Sequence, residues 1–143
     1  MSKILQDQAP EIYCALTMFV PFESGDAVFH YAKDHGLSLT AKNTCCNGIE
    51  HRFIVAEVYY AKSWHLDEML SQLFEKVRRI VPQLLHMMQE FMARFALEIA
   101  FWQYGTYPSL SITGKNTEII CLLKADIDID PYDGFRSADF YDA

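Results

Sequence analysis

The sequence predicts an α+β domain in which a single, mainly antiparallel sheet carries helices on one face, with a ferredoxin-like arrangement as the first expectation. Three observations predict it. Segments of period two and segments of helical period follow one another as strand, helix, strand, strand, helix, strand, a short extended piece, helix and strand. The strands each offer one apolar face, so a single covering layer suffices. Finally, 143 residues with 51% hydrophobic and 14% aromatic content provide one sizeable core, and no repeat or linker divides the chain. One domain over residues 1–143 is expected, ending in a mobile acidic tail at 132–143.

The elements follow in order. From Glu11 to Val20, Ile12, Cys14, Leu16, Met18 and Val20 alternate with Tyr13, Ala15, Thr17 and Phe19, a buried strand that Pro21 ends. Ser24 suits a helix N-cap, Ala27, Val28, Tyr31 and Ala32 recur at helical spacing, and Gly36 suits the C-terminal stop. Leu37, Leu39 and Ala41 then alternate with polar residues, and Asn43 to Gly48 supplies the turn of a hairpin. Its second strand, Arg52 to Tyr60, is expected to set Ile54, Ala56, Val58 and Tyr60 on one face and Phe53, Val55, Glu57 and Tyr59 on the other.

A wide apolar stripe from Leu66 to Phe95 predicts helix, with Asp67 and Glu68 in the first turn. Pro82 has no amide hydrogen and its ring meets the carbonyl of Arg78, so the helix should kink or divide there. Ala96 to Tyr104 reads as a strand, Gly105 and Pro108 as a turn, Ser109 to Ile112 as an extended piece, and Asn116 to Lys124 as a short helix. Ala125 to Asp130 closes the domain, with Ile127 and Ile129 inward and Asp126, Asp128 and Asp130 outward.

The charge narrows the function classes. Twelve Lys and Arg against 19 Asp and Glu give a formal net charge of -7, which repels phosphate backbones and anionic lipid and favours basic partners. No apolar run reaches the length of a membrane span or a signal peptide, so a cytosolic protein that binds neither nucleic acid nor membrane is expected. The four cysteines, Cys14, Cys45, Cys46 and Cys121, lack the spacing of a disulfide framework, and reduced thiols are expected.

No cofactor, metal or catalytic constellation is expected. Asp126, Asp128, Asp130 and Asp133 resemble a calcium loop, but Pro131 stands where that loop needs glycine and Ser137 where it needs a bidentate glutamate. Cys45, Cys46, His51 and His65 lack the paired Cys-x-x-Cys chelate of zinc sites. No nucleophile elbow, phosphate loop or His-Glu-x-x-His helix occurs, and His30, His35, His51, His65 and His86 share no register.

Three further motifs carry a resemblance: Ser63-Trp64-His65-Leu66 ahead of the long helix, Pro108-Ser109-Leu110-Ser111-Ile112 ahead of the short one, and Ile127-Asp128-Ile129-Asp130-Pro131-Tyr132 at the closing strand. In these the C-terminal two-thirds resembles the bacterial domain of unknown function four-two-seven-nine, with Pro131 a departure from its pattern. That resemblance implies no reaction and no catalytic residue. Small acidic α+β proteins of this kind also resemble the immunity proteins of polymorphic and contact-dependent toxin systems, which implies a non-enzymatic antitoxin that binds a basic toxin domain in the cytosol. A small-molecule-binding or enzymatic domain is the alternative expectation, and the oligomeric state is left open.

Strand alternation nominates the surface for such a partner. If Ile54, Ala56 and Val58, Leu97, Ile99 and Phe101, and Ile127 and Ile129 face the helices, then Glu57, Tyr59, Glu98, Trp102, Asp126 and Asp128 share the opposite face. Acids would steer a basic protein and aromatics would anchor it. An ordinary solvated sheet face has the same alternation.

Overall fold

A computed structural model describes residues 9–42 and 49–133 of the chain. Its elements are β1 (Glu11–Pro21), a 3-10 turn (Phe22–Ser24), α1 (Gly25–Asp34), β2 (Thr40–Lys42), β3 (Glu50–Lys62), α2 (Leu66–Arg78), α3 (Val81–Phe91), β4 (Arg94–Gln103), α4 (Gly114–Leu122) and β5 (Asp126–Asp133). The strands form one five-stranded sheet in the order β2-β3-β1-β4-β5. All neighbours are antiparallel except β4 and β5, so the fold is α+β with a mixed, mostly antiparallel sheet.

Connectivity explains the order. The path from β1 through α1 returns to β2 across β3, and the path from β3 through α2 and α3 returns to β4 across β1, the interleaving of a split βαβ arrangement. The parallel strand β5 stands outside that unit and is reached through α4, because parallel neighbours need a crossover.

One layer of helices covers the sheet. Ile12, Cys14, Leu16, Met18 and Val20 of β1 pack with Phe95, Leu97, Ile99 and Phe101 of β4 beneath Leu70, Leu73, Phe74 and Val77 of α2, with Val28, Leu84 and Ile120 from the other helices in the same cluster. The period-two reading of β1 and β4 therefore holds along their length.

Several elements depart from the sequence reading. The hairpin's first strand is only Thr40–Lys42, because the amide of Leu37 still donates to the carbonyl of Ala32 at 2.8 Å as the chain leaves α1 through Gly36, whose φ is 68°. The turn at Asn43 to Gly48, with Cys45 and Cys46, lies outside the described residues. Ser109 to Ile112 forms a single bridge to His65 and no strand. The closing strand continues through Pro131 to Tyr132 and Asp133, which pair with Trp102 and Gln103, and the rest of the tail expected at 132–143 lies outside the described residues. Pro131 is tolerated because, among the described residues, β5 has a partner on one side only.

The facing of β3 is the main correction. Leu16 pairs with Ala56 but Thr17 with Ile54, which leaves Val55 as an extra residue; Ile12 pairs with Ala61 but Cys14 with Val58, which sets Tyr59 and Tyr60 against Tyr13. These bulges reverse the alternation. Phe53 and Val55 thus join Ala56 and Val58 on the helix side, and Ile54 moves to the opposite face beside Thr17. Ile127 and Ile129 do lie on the helix side, next to Leu97 and Ile99, yet stay 43% and 41% exposed at the end of the sheet.

Candidate binding face and cleft

The sheet face away from the helices is uncovered by any described element. Its centre is lined with small residues, Ala15, Thr17 and Ala96, and longer side chains reach across them. Arg52 of β3 crosses the central strand to pair with Glu98 of β4, and Thr17 beneath them is fully buried, its hydroxyl donating to the carbonyl of Ala96 at 3.1 Å. Arg94 passes over the ring of Phe19 at 4.3 Å and reaches Glu50 at 3.1 Å. Both arginines run diagonally because β3 and β4 are held apart by β1.

Toward the other end the face opens into a cleft of about 470 Å³. Ala100 explains it. The row Tyr13, Ala100, Asp130 crosses β1, β4 and β5 with almost no side chain in its middle. One neighbouring row holds Glu98 and Asp128, and the other holds Trp102 and Tyr132. The indole and phenol rings of Trp102 and Tyr132 stack at 4.7 Å and 18°, and Tyr60 meets Trp102 edge-on at 4.7 Å and 76°. Tyr13 lies 5.2 Å from Tyr60 and donates its hydroxyl to Glu57 at 2.8 Å. Arg52 and Glu98 close the far end.

The electrostatics of this hollow are simple. Burial, and then the bond to Glu57, hold the Tyr13 phenol well above its ordinary pKa, and burial followed by the neighbouring Tyr132 raises that of Tyr60. The phenols therefore stay neutral at physiological pH. Asp128 and Asp130 form no side-chain hydrogen bond or ion pair among the described residues. A rim with unpaired carboxylates and stacked π-faces suits a cation.

All six residues nominated from the sequence lie on this face, and the structure sorts them. Glu98, Trp102 and Asp128 line the cleft. Glu57 orients Tyr13, Tyr59 is 68% exposed beside the Tyr13 ring, and Asp126 sits two residues before the cleft on β5. Tyr13, Tyr60, Ala100, Asp130 and Tyr132 were missed. The alternation already set Tyr13 and Asp130 apart from the apolar face, whereas Tyr60 needs the bulge and Tyr132 the extension past Pro131.

No family model, curated protein or solved structure matches this chain.

Other candidate chemistry is placed apart from the cleft. The buried Cys14 thiol is pushed up to about 12 by burial and donates to the carbonyl of Met69, which makes it a structural thiol. His51 stacks on Phe22 at 4.5 Å, and His65 precedes α2. Among the described residues no group of three or more His, Cys, Asp or Glu is placed to hold a metal ion. A hollow of about 520 Å³ is lined by Gln72, Glu75 and Lys76 of α2 and by Arg79, which caps it, with no convergence of elements.

Proposed function

We propose that the chain is a binding protein that holds a basic protein partner on the uncovered face of its sheet. The partner we propose is a toxin effector domain, which makes the chain an immunity protein acting without chemistry in the cytosol. One observation carries the binding reading: acids and aromatic rings from β1, β3, β4 and β5 converge on a face that no described element covers. Tyr and Trp bury large area at little entropic cost, and carboxylates raise the rate at which a basic partner arrives. The acidic balance of the whole chain supports the same sign of partner. The toxin is supported by the chain's small size, its acidic charge and its lack of a catalytic motif, in which it resembles immunity proteins.

The test uses the product of the gene beside this one, which the toxin reading expects to be a toxin. Trp102→Ala is expected to weaken binding by about 2 kcal/mol or more with the circular dichroism spectrum unchanged, since Trp102 lies outside the core cluster. Reversing the charge of Asp126 and Asp128 is expected to slow association and flatten its dependence on salt. Unchanged affinity and association rate in both variants would move the partner to another surface. A neighbouring gene with no toxic product, and no protection of cells on co-expression, would remove the toxin reading.

A further inference from the structure

Three sets of side chains carry acids on the uncovered face, and two already hold an arginine of the chain itself, one of them over an aromatic ring. Arg94 stacks on Phe19 and pairs with Glu50, and Arg52 pairs with Glu98 at the end of the cleft. The third set, Trp102 and Tyr132 with Asp128 and Asp130, has no cation among the described residues. We infer that the cleft over Ala100 is the seat of one arginine side chain supplied by the protein partner, its guanidinium lying on the Trp102–Tyr132 wall and paired with Asp128 and Asp130. This rests on the binding function proposed above and names the group that anchors it.

The chemistry of the hollow selects this cation. Asp130 stands beside Ala100 in its own row and Asp128 in the next row, roughly 6.6 Å along the strand, so a planar group set over Ala100 has one carboxylate at its side and the other at the end away from the rings. A guanidinium offers five donors in one plane, stacks on aromatic faces and sheds water more readily than an ammonium. A lysine ammonium is a compact, strongly hydrated point charge with no planar face to set against the rings. A quaternary ammonium has no donor for either carboxylate, and the rings form one wall and an edge instead of enclosing it.

The probe is the peptide acetyl-Gly-Arg-Gly-amide, titrated into the full-length chain while the indole N–H resonances of its two tryptophans are followed by NMR. Trp102→Phe assigns the relevant signal. We expect a saturable shift at Trp102 and none at Trp64, at least tenfold weaker binding in Asp128→Asn/Asp130→Asn, and loss of the shift in Ala100→Leu, which fills the hollow from the solvent side. The citrulline peptide, equal in shape and uncharged, should not bind. Equal affinity for the lysine peptide or for tetramethylammonium would overturn arginine selectivity. A rise in peptide affinity in Arg136→Ala would overturn the partner's role by giving the cleft to the chain's own tail.

The two readings fail separately. No peptide shift, with partner binding still sensitive to Trp102→Ala, overturns the arginine anchor and spares the face. A selective peptide shift, with partner binding indifferent to Trp102, supports the arginine seat and removes the protein interface.

Discussion

At the scale of single residues, Asp67 shows how one side chain joins two helices. Its Oδ1 accepts from the amide of Thr113 and from Nδ2 of Asn116, each at 2.9 Å, so the first turn of α2 is tied to the start of α4. Asn116 is fully buried and also donates to the hydroxyl of Ser71 at 3.1 Å. The Thr113 amide is the main cause that holds the Asp67 carboxyl below its ordinary value of 3.8, with burial opposing it and Asn116 assisting. A carboxylate with a depressed folded pKa stabilises the fold fully above its unfolded value and loses that contribution as the pH falls through the folded one. Loss of the two hydrogen bonds in Asp67→Ala should cost about 1 kcal/mol at neutral pH, solvent screening keeping the share due to charge small. In urea titrations across pH the gap between variant and wild type should narrow below 3.8. A gap that is constant down to pH 2 would show that the loss is packing and not the carboxylate.

Elements behave as their local chemistry demands, with exceptions that can be measured. Pro82 stands in the first turn of α3, where no amide donor is required, and α2 has already ended at Arg78. The sequence expectation of a division at this proline holds for that reason. The other end of α3 is strained: Met92, its C-cap, has φ 55° and ψ 35° and is 76% exposed. A left-handed backbone costs a side-chain-bearing residue about 1 kcal/mol, and Met92 has little buried area to lose. Met92→Gly should raise stability by roughly 0.5–1 kcal/mol in chemical denaturation. A loss of stability would mean that the methionine packs more than its exposure implies.

For the whole molecule the question is what opposes association through a sheet face and a β5 edge that no described element covers. Among the described residues β5 has a neighbour only in β4, and all eight of its residues are exposed. Asp126, Asp128 and Asp130 put charge on alternate positions of that edge and Pro131 removes a donor, both of which oppose pairing with another chain. Replacing the three aspartates with threonine keeps the strand propensity and deletes the charge. That variant should form oligomers in light scattering at concentrations where the parent does not. If it stays monomeric, the edge is protected by something other than these acids. The same acids serve the proposed partner, so discreteness and recognition draw on one set of side chains.

Sequence alone located β1, β4, α2 and α3 and determined which face of β1 and β4 is apolar, because those are properties of period and of proline chemistry acting over a few residues, but it carried the helix to Phe95 where α3 ends at Phe91 and Arg94 and Phe95 open β4. It also placed Glu57, Glu98, Trp102, Asp126 and Asp128 on the uncovered face, since one alternation runs through each of those segments. It could not place Ile54 or bring Tyr60 beside Trp102, because a bulge is decided by how two strands far apart in the chain fit against each other. Nor could it form the cleft. The hollow exists only because Tyr13, Ala100 and Asp130, from three strands, fall in one row, and register between strands is set by tertiary packing.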